Sequence, residues 1–177
     1  MSDVLSSLLS GHPRILVLGD AMLDRYTWGR AERVSPEAPV LILRADEREV
    51  RLGGAASVAS LLRGLEADAT LVSVIGDDHD GRTIRRLLDE AQIDAHFMLI
   101  DESRPTTTKE RFLGRSDHRQ PHQMLRVDTE SREPIRESHV NELLSQLIGP
   151  VQFGLTEFGR AKLPLSREVD ARPNVKN

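Results

Sequence analysis

The stretch Arg51–Ser60, RLGGAASVAS, decides how the chain is read: two adjacent glycines stand between a charged segment and a run of small helix formers. Glycine loses more conformational freedom on folding than any other residue. A pair of them at a helix start therefore implies a positive φ or a close approach to the backbone. Beyond the pair, Ala55, Val58, Ala59, Leu62 and Leu65 recur at helical spacing, which predicts a helix with those residues inward. Ahead of it, Ala38–Leu52 begins apolar and turns charged, as a strand leaving the core would.

Working outward, Arg14–Asp20 (RILVLGD) is a short apolar run ending in Gly-Asp, the pattern of a buried parallel strand followed by a polar loop. Ala69–Asp78 repeats it and ends in Gly-Asp-Asp, with Asp77-Asp78 placed to cap the next helix. Asp80–Gln92 reads as that helix, with Ile84, Leu87, Leu88 and Ala91 inward, and Ala95–Ile100 as a third strand. Strands alternating with helices predict the α/β class, a parallel sheet flanked by helices. After Pro105 the pattern changes. Two runs, TTTKERFL and HQMLRVD, flank a polar turn around Gly114–Pro121 and predict a hairpin, and Glu137–Gly149 predicts a third helix. Residues 1–150 therefore read as one α/β unit, and residues 151–177 as an irregular tail without clear period.

The chain has 177 residues, 38% of them hydrophobic, and a net charge of −4. That charge gives no reason to expect nucleic acid or an anionic membrane as a partner. Cysteine is absent, which excludes disulfides, thiolate catalysis and thiolate-bound zinc. The N-terminal residues lack a basic leader, and no segment approaches the roughly 18 apolar residues of a membrane span, so a cytoplasmic protein is expected.

In an open parallel sheet, ligands bind beyond the carboxyl ends of the strands. Gly19-Asp20 and Asp24 fall at one such end, in what reads as a loop. Gly53-Gly54 open the first helix, whose free N–H groups favour hydroxyl or phosphate oxygens. Two readings of the glycines stand level: a backbone cleared for a polar ligand, or a tight turn with close packing. Lys109 and Arg111 alternate on a strand and share a face, which suits a phosphate or a charged sheet edge. Asp117, His118 and His122 have the residue types of a metal site but no third firm ligand. Neither a dinucleotide fingerprint nor a P-loop is present.

Gly19-Asp20-x-Met22-Leu23-Asp24-Arg25-Tyr26, Arg33-Val34-Ser35-Pro36-Glu37-Ala38-Pro39-Val40 and Gly53-Gly54-Ala55-Ala56, in that order and spacing, resemble the N-terminal part of a ribokinase-type (phosphofructokinase-B) carbohydrate kinase. More narrowly they are similar to the heptose-7-phosphate kinase domain of bifunctional ADP-heptose synthases. Thr108-Lys109-x-Arg111 and Leu125-Arg126-Val127-Asp128 extend the match to about residue 130. The resemblance implies a ribokinase-like parallel sheet with a small β lid, built from segments about 26–51 and 106–127. It also implies a substrate site of Asp24, Gly53, Gly54, Ser57, Lys109, Arg111 and Asp128, with Asp24 and the glycines on sugar hydroxyls and the cations on the substrate's phosphate. ATP and Mg²⁺ follow from the family, as does pairing of two copies through the lid. Two departures stand out. Ser57 occupies the position of a family asparagine and reaches less far. The family's catalytic Gly-Ala-Gly-Asp has no counterpart in the sequence. Leu155–Lys162 only faintly matches the family segment expected after the third helix. The expectation is a sugar-phosphate-binding part whose catalytic, ATP-binding C-terminal half is missing, with a non-catalytic binding or lid-dimerisation module, or a gene remnant, as alternatives.

Overall fold

The computed structural model describes residues 13–115 and 120–152. Its elements run β1 (Arg14–Leu18), β2 (Ala21–Val34), β3 (Leu41–Gly54), α1 (Ala55–Gly64), β4 (Asp68–Ile75), α2 (His79–Glu90), β5 (Met98–Ile100), β6 (Thr108–Arg115), β7 (His122–Thr129) and α3 (Glu137–Gln152). They form two sheets. The first has order β1-β4-β5 and is wholly parallel; the second has order β3-β2-β6-β7 and is mixed. The expected parallel α/β sheet flanked by helices is therefore present, beside a separate four-stranded β layer.

The core lies where α1 and α2 cover β4 and the start of β2. Leu23, Leu71, Ile84 and Leu88 are fully buried there. Each such side chain contributes about 1.5–3 kcal/mol by leaving water. The helix α2 begins as expected: the Asp78 carboxylate accepts from Gly81 N at 2.8 Å and satisfies an orphan donor of the first turn. Its other oxygen accepts from Thr106 N at 2.8 Å, which ties the entry to β6 onto the same cap. Burial pushes the Asp78 carboxyl up, but these N–H bonds outweigh it and hold the group below its ordinary value.

Three expectations need correction. The strand β1 is parallel but not buried: Leu16 and Leu18 are 50% and 69% exposed. The predicted inward face of α1 is wrong at two positions: Val58 and Leu65 are exposed, whereas Ala56 and Ala59 are buried. The helix starts with no loop after β3, and Ala55 N donates to Asp20 O at 2.9 Å, which fixes its rotation so that small residues meet the sheet. Asp24 is also not in a loop. Only Gly19 and Asp20 separate β1 from β2, and Asp24 sits within that 14-residue strand.

A buried carboxylate joins the far end of the chain to this body. Asp101, 1% exposed, accepts from Ser103 N at 3.0 Å, Ser103 Oγ at 2.5 Å and Arg104 Nε at 3.0 Å. Arg104 Nη2 continues to the carbonyls of Glu133 and Pro134, at 3.3 and 2.9 Å. His139 in the first turn of α3 places Nδ1 3.5 Å from the same carboxylate.

Candidate functional site

The second sheet sets the site. Its register aligns Arg51, Asp24, Lys109 and Asp128 across the four strands, and beside them Glu49, Tyr26, Arg111 and Arg126. Residues directly opposite share a face, and positions two apart on one strand share it too. The two rows are therefore one surface carrying four cations, three carboxylates and a phenol.

Ion pairs link these side chains both between and within the rows. Arg111 Nη1 donates to Asp24 Oδ1 at 2.7 Å, both side chains about one-fifth exposed. Arg126 Nη2 and Lys109 Nζ donate to Asp128 Oδ2 at 2.9 and 3.4 Å. Partial burial pushes the Asp128 carboxyl up, but the bonds from Arg126 and Lys109 prevail and keep it below its ordinary value. The Arg51 and Arg111 guanidinium carbons lie 5.1 and 5.2 Å from the Tyr26 ring centroid, within cation–π range.

The glycine pair can now be read on geometry. Gly54 has φ +56°, and a Cβ there would stand 2.3 Å from Asp20 O and 2.8 Å from Met22 Cε. The strand-to-helix junction thus requires glycine for the chain path itself. Gly53 differs: a Cβ there would lie 2.8 Å from Asp24 Oδ2 and from Met22 Cγ. Gly53 clears space beside the carboxylate that Arg111 holds. The tight turn therefore belongs to Gly54 and the cleared surface to Gly53.

A cavity of about 140 Å³ opens between the two sheets, lined among others by Asp20, Met22, Arg104, Thr107, Lys109 and Glu130. It lies beyond the carboxyl end of β1, where an α/β sheet presents ligands. Of the residues expected from sequence, Asp24, Gly53, Lys109, Arg111 and Asp128 meet on one surface. Gly54 and Ser57 stand apart at the start of α1. Arg51, Glu49, Tyr26 and Arg126 were not anticipated, although the alternation of charges in Glu49-Val50-Arg51 and Arg126-Val127-Asp128 carries the signal. Asp117 and His118 lie outside the described residues. Among the described residues no group of three or more His, Asp or Glu side chains could hold a metal ion. What this surface can do is hold a ligand that offers both hydroxyls and negative charge.

These two sheets place a charged face beside a strand-end cavity in an α/β protein. The pfkB family carbohydrate kinase model matches residues 12–142, and the chain belongs to that family. It is 40% identical over 139 residues to the bifunctional protein HldE of Helicobacter hepaticus, covering 78% of this chain and 28% of that protein. Against HldE of Haemophilus influenzae it is 40% identical over 154 residues, or 85% and 31% of the two chains. The chain thus spans about a third or less of the curated relatives it matches. Among solved structures, a sugar kinase from Clostridium perfringens aligns with a TM-score of 0.58 at 14% identity, over 76% of this chain and 40% of that one. Arabidopsis thaliana ribokinase, solved with ribose and ATP, aligns with a TM-score of 0.53 at 18% identity, over 76% and 42%. These share the fold. No helix among the described residues is long and apolar enough to cross a membrane.

Proposed function

We propose that this chain is the sugar-phosphate-binding part of an ATP-dependent carbohydrate kinase of the ADP-heptose route, acting on heptose 7-phosphate. The observation that carries the proposal is the pair of charged rows beside the Asp20–Lys109 cavity. Asp24, held by Arg111, accepts from sugar hydroxyls, and Gly53 leaves its second oxygen reachable. Lys109, Arg111 and Arg126 offer N–H donors to the phosphate already on the sugar, with Asp128 fixing the directions of Lys109 and Arg126.

In the transfer, the anomeric oxygen attacks the γ-phosphorus of ATP, its proton passes to a base, and ADP leaves. Such reactions depend mostly on positioning and on charge stabilisation. Mg²⁺ bound with the nucleotide would neutralise developing phosphate charge. The described residues contribute the positioning: they orient the sugar and neutralise its phosphate. With no Gly-Ala-Gly-Asp in the sequence, the chain alone is expected to bind the sugar phosphate without turning over ATP.

The test is calorimetric titration with heptose 7-phosphate. Replacing Arg111 by Gln removes a donor and releases Asp24, and should weaken binding about 10–100-fold, since a hydrogen bond to a charged group is worth about 1.5–3 kcal/mol. Unchanged affinity in Arg111→Gln would remove the charged face from the site. ATP turnover by the purified chain would overturn the binding-only clause.

A second reading, pairing of two copies through this sheet, is favoured by one observation. Val40, Leu41 and Leu125 are each more than half exposed and, with Leu43, Phe112 and Met124, line an apolar groove of about 650 Å³. Exposed apolar surface of this kind marks interaction sites. Light scattering should then give twice the chain mass, falling to the monomer for Leu41→Glu; a monomer at high concentration opposes pairing.

A further inference from the structure

Beyond the charged rows, β2 and β3 continue past the last residue of β6, and their register changes. Arg30 pairs with Arg44 and Arg33 with Ile42, so three steps along β2 match two along β3. This is a β-bulge with the extra residue in β2, a feature that re-aims side chains. In a regular strand Arg30 and Arg33 would point to opposite faces, because the side-chain period is two. The bulge brings both onto the face of Arg44, and the three arginines, with Glu32 and Ile42, line one cavity of about 180 Å³.

The three cations outnumber the one carboxylate, Glu32, that lines the cavity with them. Among the described residues, none of Arg30, Arg33 and Arg44 has a carboxylate within ion-pair distance, and Asp46, which senses Arg30, is bonded to Arg115 at 2.8 Å. Arg30 lies opposite Arg44 on one side and opposite Arg115 on the other. Like charges directly across a sheet are destabilising. The fold thus gathers cations at some cost to itself, around a space about six times a water's share of liquid volume. Guanidinium forks match phosphate oxygens in pairs, which an ammonium does not. Asp24 and Arg30 are six residues apart on one strand, or about 20 Å. A small sugar phosphate held at Asp24 does not reach this far.

We propose that Arg30, Arg33 and Arg44 form a second anion site, specific for a phosphate or diphosphate group and separate from the sugar-phosphate face. The probe is pyrophosphate, titrated calorimetrically into the full chain at fixed ionic strength, with inorganic phosphate and citrate as comparisons. The double variant Arg30→Gln, Arg44→Gln removes a repulsive pair, so its melting temperature should hold or rise. Its pyrophosphate affinity should fall at least tenfold, while Arg111→Gln keeps the wild-type affinity for this site. Equal binding by the double variant, or loss of all binding in Arg111→Gln, would overturn the second site. Citrate binding as tightly as pyrophosphate would overturn its phosphate specificity, and no saturable binding by the wild-type chain would overturn the proposal outright.

Discussion

Replacing Gly54 with Ala is expected to destabilise the chain by about 4 kcal/mol, read as a lowered urea midpoint with unchanged slope. Two costs combine. A non-glycine residue is strained at φ +56°, and its Cβ would meet the Asp20 carbonyl oxygen at 2.3 Å. The obstacle is backbone, and it cannot step aside: Asp20 O already accepts from Ala55 N at 2.9 Å, the bond that seats the first turn of α1. Because β3 passes into α1 without a loop, relief of the clash must move either the strand or the helix. Against a total stability of roughly 5–15 kcal/mol the loss is large. Gly53→Ala makes the contrast. Its Cβ would meet side-chain atoms, Asp24 Oδ2 and Met22 Cγ, and not the backbone that blocks Gly54. It should cost less stability and more sugar-phosphate affinity. Equal stability losses in the two variants would contradict the division of roles between the glycines.

Replacing Asp101 with Ala is expected to cost about 3–5 kcal/mol, because it leaves Arg104, only 14% exposed, without its anion. The same change loosens α3, which Arg104 holds through the carbonyls of Glu133 and Pro134 and which Asp101 meets through His139. Hydrogen exchange should then rise in residues 137–147 before it rises in β4. The carboxylate also sets an acid limit. The Ser103 hydroxyl, opposed by burial and aided by Ser103 N–H and Arg104, holds Asp101 well below the usual carboxylate range. A group with a depressed folded pKa stabilises fully above its unfolded value, about 3.9, and loses that contribution as pH falls towards the folded value. Denaturation midpoints should therefore drop below about pH 4, and the drop should be shallower in Asp101→Asn, which has no proton to gain. A wild-type midpoint flat from pH 5 to pH 2 would contradict this.

The first sheet was legible because its strands are continuous apolar runs and α2 carries an unambiguous period and cap. The start of β2 was not. Ala21, Leu23, Thr27 and Gly29 are buried at alternate positions, but Arg25 stands in the same row and breaks the pattern. Arg25 is accommodated by an ion pair to Asp80 in α2, a partner 55 residues away that no local window reveals. The site was half legible for a similar reason. Asp24, Lys109 and Arg111 could be named from motif and alternation, but their meeting depends on β2 pairing in parallel with β6, between residues far apart in sequence such as Asp24 and Lys109. The bulge at Arg30–Arg33 left no mark in the sequence, since an extra residue is visible only against the partner strand.

The most direct test of a sugar-phosphate site on the second sheet is a thermal melt of the purified chain with heptose 7-phosphate, with the unphosphorylated heptose, and with Mg-ATP. Ligand that binds only the folded chain stabilises it by about 2.7 kcal/mol at a hundredfold excess over Kd. The expected result is a raised midpoint with the sugar phosphate, a much smaller rise with the free sugar, and none with Mg-ATP that depends on Arg111. A cooperative melt that heptose 7-phosphate leaves unmoved, or that the free sugar shifts equally, would contradict the assignment of Lys109, Arg111 and Arg126 to the substrate's phosphate.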